Sequence, residues 1–249
     1  MSEQRVVIVT GGASGIGLGV SKRFAANGHA VAMLDVQDAA LARESAALTA
    51  SGAKVLALKV DVANREQIDT AYAAVRKQLG PISMVIANAG ISMPQSFLSM
   101  SIGDWQRMID VNLTGVFHTI QAALPDMVQQ KWGRIVTISS NAAQQGAPDR
   151  AHYAAAKGGV IGLTKALARE LAVHGITANT IPPALVDTPL ARKGVASGEV
   201  PPIEVIAQHI PIARAGTPED IASTCEFLCS DGASYITGQQ INVNGGIYM

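Results

Sequence analysis

The feature that most constrains the fold is a glycine-rich loop between a predicted strand and a predicted helix near the start of the chain. Val6 to Thr10 is a continuous apolar run, typical of a strand buried on both faces. Gly11, Gly15 and Gly17 follow in a GxxxGxG spacing, and the predicted helix runs on to about Asn27. Glycine lets the backbone approach a pyrophosphate, and a helix start offers free N–H groups and a partial positive charge. A tight structural turn is the alternative for the loop alone, but its place between strand and helix favours a phosphate site.

The acidic residue that ends the second predicted strand indicates which cofactor fits. Ala30 to Leu34 is the predicted strand, and Asp35 follows about 20 residues after the glycines, where a carboxylate can bind ribose hydroxyls. A carboxylate there repels a 2′-phosphate, because like charges about 4 Å apart cost about 4 kcal/mol at an intermediate dielectric. No Arg or Lys lies in the glycine loop or directly after Asp35. We therefore predict NAD(H), with a simple turn or helix-capping role as the alternative for this Asp.

Predicted strands and helices alternate along the whole chain. We count seven strands, which predicts an α/β fold with a Rossmann-like, doubly wound, seven-stranded parallel sheet and helices on both faces. The 249 residues are 48% hydrophobic, enough to bury a core, and α/β folds of this length form one domain. We expect a single domain over residues 1–249, with its last strand after Gly238. A long helix is predicted from Asp104 to about Gln130, with Pro125 as its candidate break.

A Tyr and a Lys four residues apart form the second informative pattern. Tyr153 and Lys157 lie in an Ala-rich segment with helical spacing, so both project from one helix face. A free Tyr has a pKa of about 10, and a nearby cation can lower it until the phenol gives or takes a proton. Ile135 to Ile138 is a predicted strand that ends in Ser139 and Ser140, at the sheet edge where ligands bind. An exposed Tyr–Lys pair is the alternative for the spacing alone, and these surroundings disfavour it.

The GxxxGxG loop and the YxxxK pair together resemble the short-chain dehydrogenase/reductase family in its single-domain form, over nearly the whole chain. The resemblance implies a catalytic set of Asn112, Ser140, Tyr153 and Lys157, in which Ser140 stands thirteen positions before the Tyr. It also implies a cofactor site, in which Tyr153 and Lys157 take part as well. The other expected cofactor residues are Gly11, Ser14, Gly15, Ile16, Gly17, Asp35, Asp61, Val62, Asn88, Ala89, Gly90, Pro183, Val186 and Thr188.

Two positions depart from the family pattern. Ala87 stands where the first Asn of the NNAG element is expected, ahead of Asn88, which the resemblance makes mainly a brace of the sheet. Ala184 replaces the usual Gly after Pro183. Because Ala does not readily adopt a positive φ, either the backbone is ordinary there or the loop is displaced. Asp61, which the pattern turns towards the adenine, could instead cap the next helix.

The segment at about 188–212 is predicted to be a substrate lid. Its periodicity is weak and it contains two consecutive prolines, which favours a mobile segment over a core element. Arg192 in this segment and Arg150 before Tyr153 are candidate ligands for an anionic substrate, since guanidinium groups pair with carboxylate, sulfonate or phosphate. Asn141 is a third candidate substrate residue. Solvated loop charges are the alternative for both arginines.

Composition disfavours several other classes of protein. The formal net charge is zero, which gives no support for nucleic-acid binding or a basic membrane patch. The apolar run at the start is too short for a signal peptide or a membrane span, so we expect a cytoplasmic protein. Cys225 and Cys229 lie four apart on a predicted helix and are expected to pack in the core; two thiols make a poor metal site, and no metal is expected. The resemblance implies a homotetramer.

The predicted function is NAD(H)-dependent interconversion of a secondary alcohol and a ketone by hydride transfer, with Tyr153 as general acid and base. Two alternatives stay open. One is reduction of 3-oxoacyl thioesters, which Asp35 disfavours mildly because biosynthetic reductions commonly draw on NADPH. The other is a non-catalytic dinucleotide sensor, which the complete set of four polar groups disfavours.

Overall fold

Parallel strands form the centre of the fold. The structure is a computed structural model that describes residues 4–198 and 200–249, and six strands lie within those residues. They are β1 (Val6–Thr10), β2 (Ala30–Asp35), β3 (Val55–Lys59), β4 (Ile82–Ala87), β5 (Gly133–Ile138) and β6 (Ile176–Ile181). They form one sheet in the order β3-β2-β1-β4-β5-β6, and every pairing is parallel. The order reverses between β1 and β4, which places a binding crevice beyond the carboxyl ends of these strands.

Helices cover both faces of the sheet. In the described ranges they are α1 (Gly15–Ala26), α2 (Asp38–Ala50), α3 (Arg65–Gln78), α4 (Ile102–Ile109), α5 (Gly115–Gln130), α6 (Ala142–Gln145), α7 (Ala151–Leu171), α8 (Pro189–Ala196), α9 (Ile203–Ala207) and α10 (Pro218–Cys229). The core divides into two clusters, one with α3, α5 and α7 and the other with α1, α2 and α10. Five of the six strands are buried along their whole length, as expected for a doubly wound sheet. The predicted α/β class, the parallel sheet and the helices on both faces are therefore confirmed.

The expected seventh strand is reduced to a single bridge beside β6. Thr180 pairs with Gln240 in parallel, and the Thr180 N–H donates to the carbonyl of Gln239 at 2.9 Å. The Asn179 side chain adds to this contact: it donates to the carbonyl of Ile236 and accepts from the N–H of Gln239. The backbone bonds between this segment and β6 are few, so the contact is too short to form a strand, and the prediction of seven strands was wrong by one.

The long helix predicted from Asp104 is broken at a different place from the one expected. A π-helical turn at Asp110–Thr114 separates α4 from α5, while Pro125 lies inside α5. The turn contains Asn112, whose buried side chain bonds to the backbone of neighbouring segments. These tertiary hydrogen bonds explain the break, and π turns of this kind are frequent at functional sites.

The segment predicted as a lid contains two short helices, α8 and α9. Residue 199, between them, lies outside the described residues, as do residues 1–3 of the predicted domain. In α10, Cys225 and Cys229 are buried free thiols within the core, as expected. No helix in the described part of the chain combines the length and the apolar character needed to cross a membrane.

Candidate active site

The glycine loop connects β1 to α1 at the crevice. Gly11 and Gly15 both have positive φ, +65° and +50°. A Cβ on Gly17 would lie 2.0 Å from the Gly11 carbonyl oxygen, so this position has no space for a side chain. The loop therefore presents bare backbone and the start of a 12-residue helix to the crevice. This donor set fits the pyrophosphate of a dinucleotide.

Asp35 ends β2 beside this loop. It is buried, and its carboxylate accepts hydrogen bonds from the N–H groups of Ala13 (3.1 Å) and Gln37 (3.0 Å). An open groove of about 470 Å³ lies nearby, between the glycine loop, the start of α2 and Pro189 at the start of α8. The groove lies where the adenosine half of a dinucleotide would be held.

No cation was predicted near Asp35, but the structure places Arg43 in the wall of the groove. Arg43 lies on α2, eight positions after the Asp, so a search of the neighbouring sequence missed it. Its Nε donates to Glu44 at 2.9 Å, and Lys22 lies 3.5 Å from the same carboxylate. The charge of Arg43 is therefore partly neutralised by Glu44. Asp35 is bonded directly to the glycine loop, through the Ala13 N–H.

Asn88 braces the two central strands. Its side chain donates to the Thr10 carbonyl at 2.9 Å, while the Thr10 hydroxyl accepts from the N–H groups of Asn88 (3.0 Å) and Ala89 (3.1 Å). These bonds join the ends of β1 and β4 across the point where the strand order reverses. Gly90 follows, at the floor of the crevice.

Asn112 is fully buried and connects the π turn to the segment after β4. Its side-chain nitrogen donates to the carbonyls of Ile91 and Met108, each at 3.1 Å, and its oxygen accepts from the Ile91 N–H at 3.2 Å. A Cβ on Gly90 would lie 2.6 Å from that oxygen and 3.4 Å from the Lys157 Nζ. Glycine at this position thus lets the amide and the ammonium group approach one another.

Ser139 and Ser140 leave β5 in different directions. The Ser139 hydroxyl donates to the Lys157 carbonyl at 2.9 Å, which fixes the strand end against α7. Ser140 accepts from the Ala142 N–H at 3.2 Å, and its hydroxyl lies close enough to Tyr153 to favour the phenolate, which lowers the pKa of the phenol. The structure therefore brings Ser140, and not Ser139, to the phenol.

Tyr153 and Lys157 lie on adjacent turns of α7. The Lys157 Nζ is buried, donates to the Ile138 carbonyl at 2.8 Å, and lies 5.9 Å from the centre of the Tyr153 ring. Burial lowers the pKa of Lys157 to about 8. Burial also raises the pKa of Tyr153, and the opposing effects of the Ser140 hydrogen bond and the Arg150 charge are smaller. The pKa of Tyr153 is thus raised rather than lowered as expected, because burial dominates, while the Lys157 ammonium donates to a carbonyl.

The comparison with known families agrees with this geometry. A family model described as enoyl-(acyl carrier protein) reductase matches residues 11–248. A 3-oxoacyl-(acyl-carrier-protein) reductase from Synechocystis sp. is 40% identical, with 98% of this chain and 97% of the relative covered. The chain belongs to the short-chain dehydrogenase/reductase family. Members of this family use a nicotinamide dinucleotide, and the protein is an oxidoreductase.

Two further relatives extend the comparison. The 3-oxoacyl-(acyl-carrier-protein) reductase FabG of Staphylococcus aureus is 38% identical, with both chains covered completely. The crystal structure of levodione reductase superposes with a TM-score of 0.92 at 34% identity, covering 97% of this chain and 96% of that one. The short-chain dehydrogenase/reductase fold therefore extends over the whole catalytic scaffold.

The other predicted cofactor positions have roles in the local structure of the loops, helix starts and core around them. Asp61 closes a local turn by accepting from the Ala63 N–H at 2.9 Å, while the cap of α3 is Asn64. Val62 and Val186 are buried, and Thr188 caps α8. Ile16 is half-buried in the core, and Ser14 precedes α1, with its hydroxyl 3.4 Å from the Gln37 side chain.

Ala184, which replaces the usual glycine, has an ordinary backbone. It is absent from the positive-φ residues of the described chain, so the first of the two possibilities is the correct one. The carbonyl of its neighbour Pro183 accepts from the Asn141 N–H at 3.0 Å, which fixes this loop to the start of α6.

The two candidate substrate arginines have different surroundings. Arg192, on α8, is exposed and forms a two-pronged ion pair with Asp187, at 2.7 and 2.9 Å. Arg150 is half-buried and donates to the Ser92 hydroxyl on the segment after β4. An anionic ligand would therefore compete with a carboxylate at Arg192 but not at Arg150.

His152, next to the catalytic Tyr, is fully buried. Neither ring nitrogen has a hydrogen-bond partner within the described residues, and burial lowers the pKa of the imidazole. Burial therefore favours the neutral imidazole. His152 is a buried residue of α7, and we assign it no part in the proton transfer of Tyr153.

Proposed function

We propose that the protein is an NAD(H)-dependent oxidoreductase that interconverts a secondary alcohol and a ketone, with 3-oxoacyl thioesters and their 3-hydroxyacyl counterparts as substrates. One observation carries the reaction class: Ser140 at the carboxyl end of β5 lies within interaction range of the Tyr153 phenol, with the buried Lys157 one helical turn away. The thioester substrate is supported by two relatives, 38–40% identical over nearly their whole length, that are named as 3-oxoacyl reductases.

The protonation of Tyr153 suits reduction at neutral pH. Because burial raises its pKa, the phenol carries its proton and can donate it to a carbonyl oxygen. Ser140 donates a second hydrogen bond to the same oxygen and so stabilises the negative charge that develops there. A bound nicotinamide dinucleotide supplies the hydride in this direction and accepts it in the other. Alcohol oxidation reverses the proton path, with the phenolate as base.

Lys157 and Asn112 support Tyr153. A charged ammonium near the phenol makes it a stronger acid, since it stabilises the phenolate that remains after proton donation. Gly90 allows the Asn112 oxygen and the Lys157 Nζ to lie near one point, which gives a route for replacing the proton through water. Gly11, Gly15 and Gly17 would hold the pyrophosphate, Asp35 the adenosine ribose, and Tyr153 and Lys157 the nicotinamide ribose.

NAD(H) is the proposed cofactor because of Asp35. Its carboxylate is buried beside the glycine loop and is bonded to two backbone N–H groups, so it stays close to the ribose position. A 2′-phosphate would face this negative charge at short range. Arg43, whose Nε is bonded to Glu44, is the cation in the groove wall that a 2′-phosphate would have to recruit against Asp35.

A second candidate substrate class is a simple cyclic or open-chain ketone, which the similarity to levodione reductase favours. The same Ser140 and Tyr153 groups would act on its carbonyl oxygen. Thioester and simple ketone substrates differ in the group attached beyond the reacting carbonyl. The carbonyl on which Ser140 and Tyr153 act is the same in both.

The test is a steady-state assay that follows the absorbance of the reduced nicotinamide. An acetoacetyl thioester of N-acetylcysteamine and a cyclic diketone are each measured with NADH and with NADPH. Thioester turnover with preference for NADH is expected. Preference for NADPH would contradict the role of Asp35, and preference for the diketone would select the second substrate class. Cofactor binding without turnover of either would favour a sensing role.

We further propose that the enzyme is a cytoplasmic homotetramer. The outer face of α7 carries Ala155, Gly158 and Gly162, and a Cβ on either glycine would meet nothing within 4 Å. This face supports close packing against a second copy. Light scattering after size-exclusion chromatography tests the assembly, and a monomeric mass would contradict it.

A further inference from the structure

Arg150 is a cation beside the reacting phenol that no acid neutralises. It precedes α7, and Tyr153 follows three positions later. None of the ion pairs formed among residues 4–198 and 200–249 includes it. Its charge nevertheless acts on Tyr153, lowering the pKa of the phenol against the larger effect of burial. A positive charge thus lies within electrostatic range of the atom that gives up the proton.

The position of Arg150 is fixed by the segment after β4. Its Nη1 donates to the Ser92 hydroxyl, and the carbonyl of Asp149 accepts from the Gln95 N–H at 2.7 Å. Ser92 follows Ile91, whose backbone N–H and carbonyl both bond to the side chain of Asn112. The guanidinium is therefore attached to the same segment that lines the crevice at Gly90 and Ile91.

Most of the hydrogen-bonding capacity of this guanidinium remains available. Arg150 has several N–H donors in a planar fork, and the Ser92 hydroxyl takes one of them. Arg192 and Arg214, the other arginines near the 188–212 segment, are each bound by both oxygens of an Asp. Of these three arginines, Arg150 is thus the one that can bind a substrate carboxylate without displacing an Asp side chain.

We propose that Arg150 gives the enzyme a further activity on free acids, namely the interconversion of 3-oxo and 3-hydroxy acids whose carboxylate is bound by this guanidinium. The inference rests on the proposed function, because the reacting carbonyl is the same as in the thioester. Reduction adds a hydride from the reduced nicotinamide dinucleotide to the carbonyl carbon and a proton from Tyr153 to the oxygen. The carboxylate is unchanged and serves only to position the substrate.

The experiment compares acetoacetate with methyl acetoacetate, its neutral counterpart, in the reduction assay with NADH. The ratio of the two kcat/KM values cancels any general effect of a substitution on Tyr153. In the wild-type enzyme we expect kcat/KM for the acid to exceed kcat/KM for the ester by about tenfold or more. A tenfold ratio corresponds to about 1.4 kcal/mol, which a charge-assisted hydrogen bond can supply. Arg150→Gln is expected to bring this ratio to about one, and Arg150→Lys to restore part of it.

A matched control is Arg169→Gln, an exposed arginine near the other end of the same helix, which should leave the ratio unchanged. Equal losses for acid and ester in Arg150→Gln would overturn the inference, since the arginine would then act only on Tyr153 or on the loop. A wild-type ratio at or below one would also overturn it. The thioester of N-acetylcysteamine, measured in parallel, separates the two claims: if it is reduced while the acid is not, the proposed function stands and the free-acid activity fails.

Discussion

The two sides of the crevice are built in different ways. On one side, Asn112, Ser140 and Lys157 are buried and are joined to backbone groups by hydrogen bonds of 2.8 to 3.2 Å. On the other side, the 188–212 segment forms two short helices, and the ion pair of Arg192 with Asp187 is largely exposed. The catalytic side is fixed by backbone groups, whereas the substrate side depends on surface side chains.

This difference separates chemistry from selectivity. Buried polar groups that are fully hydrogen-bonded tolerate little change, because a broken bond leaves a donor or acceptor without water. Exposed ion pairs contribute little, since water and salt replace them. Substitutions on the catalytic side should therefore alter turnover strongly, and those on the 188–212 side should alter it weakly.

The largest effect is expected for Tyr153→Phe. Removing the hydroxyl leaves the carbonyl oxygen of the substrate without its proton donor, and kcat should fall by about 10³-fold. Cofactor affinity, measured by titration of nicotinamide fluorescence, should fall far less than kcat, because Lys157, Asp35 and the glycine loop still hold the dinucleotide. Turnover within about tenfold of the wild type would refute the assignment of Tyr153 as general acid.

Gly90→Ala tests whether the catalytic side depends on close packing. The new Cβ would lie 2.6 Å from the Asn112 oxygen and 3.4 Å from the Lys157 Nζ, so both groups must move. A displacement of this size should lower kcat by about 10²-fold. Gly103→Ala in α4 is the control, because a Cβ there meets only the Ser101 hydroxyl, at an ordinary contact distance of 3.7 Å. Similar kinetics for the two variants would show that the Asn112–Lys157 arrangement is not needed.

Sequence reasoning was most successful where a residue's role follows from its position at a strand end. The spacing of Gly11, Asp35 and Ser140 relative to predicted strands was enough to place all three beside one crevice. The last pairing shows the limit, because residues 239–241 bond to β6 over too short a stretch to form a strand, and nothing in their local pattern indicates this. The π turn around Asn112 is a second case. The Asn112 side chain donates to the carbonyls of Ile91 and Met108, and helix propensity alone does not predict such bonds.

The pKa of Tyr153 could not be predicted from the spacing with Lys157. Positions i and i+4 bring the two side chains to one helix face, but the spacing does not say what the ammonium binds. The structure shows that it donates to Ile138, and that burial then governs the phenol. The pKa values of crevice residues thus depend on burial and on groups from neighbouring elements, which the spacing of two residues on one helix does not reveal.

A smaller effect is expected from pH, through Lys157. Its pKa of about 8 means that it is charged below this pH and loses its charge above it. Without that charge the phenol is a weaker acid, so kcat/KM for ketone reduction should fall above about pH 8, by up to tenfold per unit. The pH profile of kcat/KM reports groups in the free enzyme and is the appropriate measurement. A profile that is flat between about pH 7 and 9 would show that the Lys157 charge does not contribute.

The smallest effect is expected for Arg192→Ala, on the 188–212 side. Arg192 is exposed and its guanidinium is already occupied by Asp187, so neither the fold nor the crevice relies on it. The kcat/KM for the thioester should stay within about threefold of the wild type, and for acetoacetate the change should be equally small. A selective loss for acetoacetate would mean that Arg192 leaves Asp187 when substrate binds. The 188–212 segment would then supply part of the anion site, and the division between a catalytic side and a passive surface would fail at that residue.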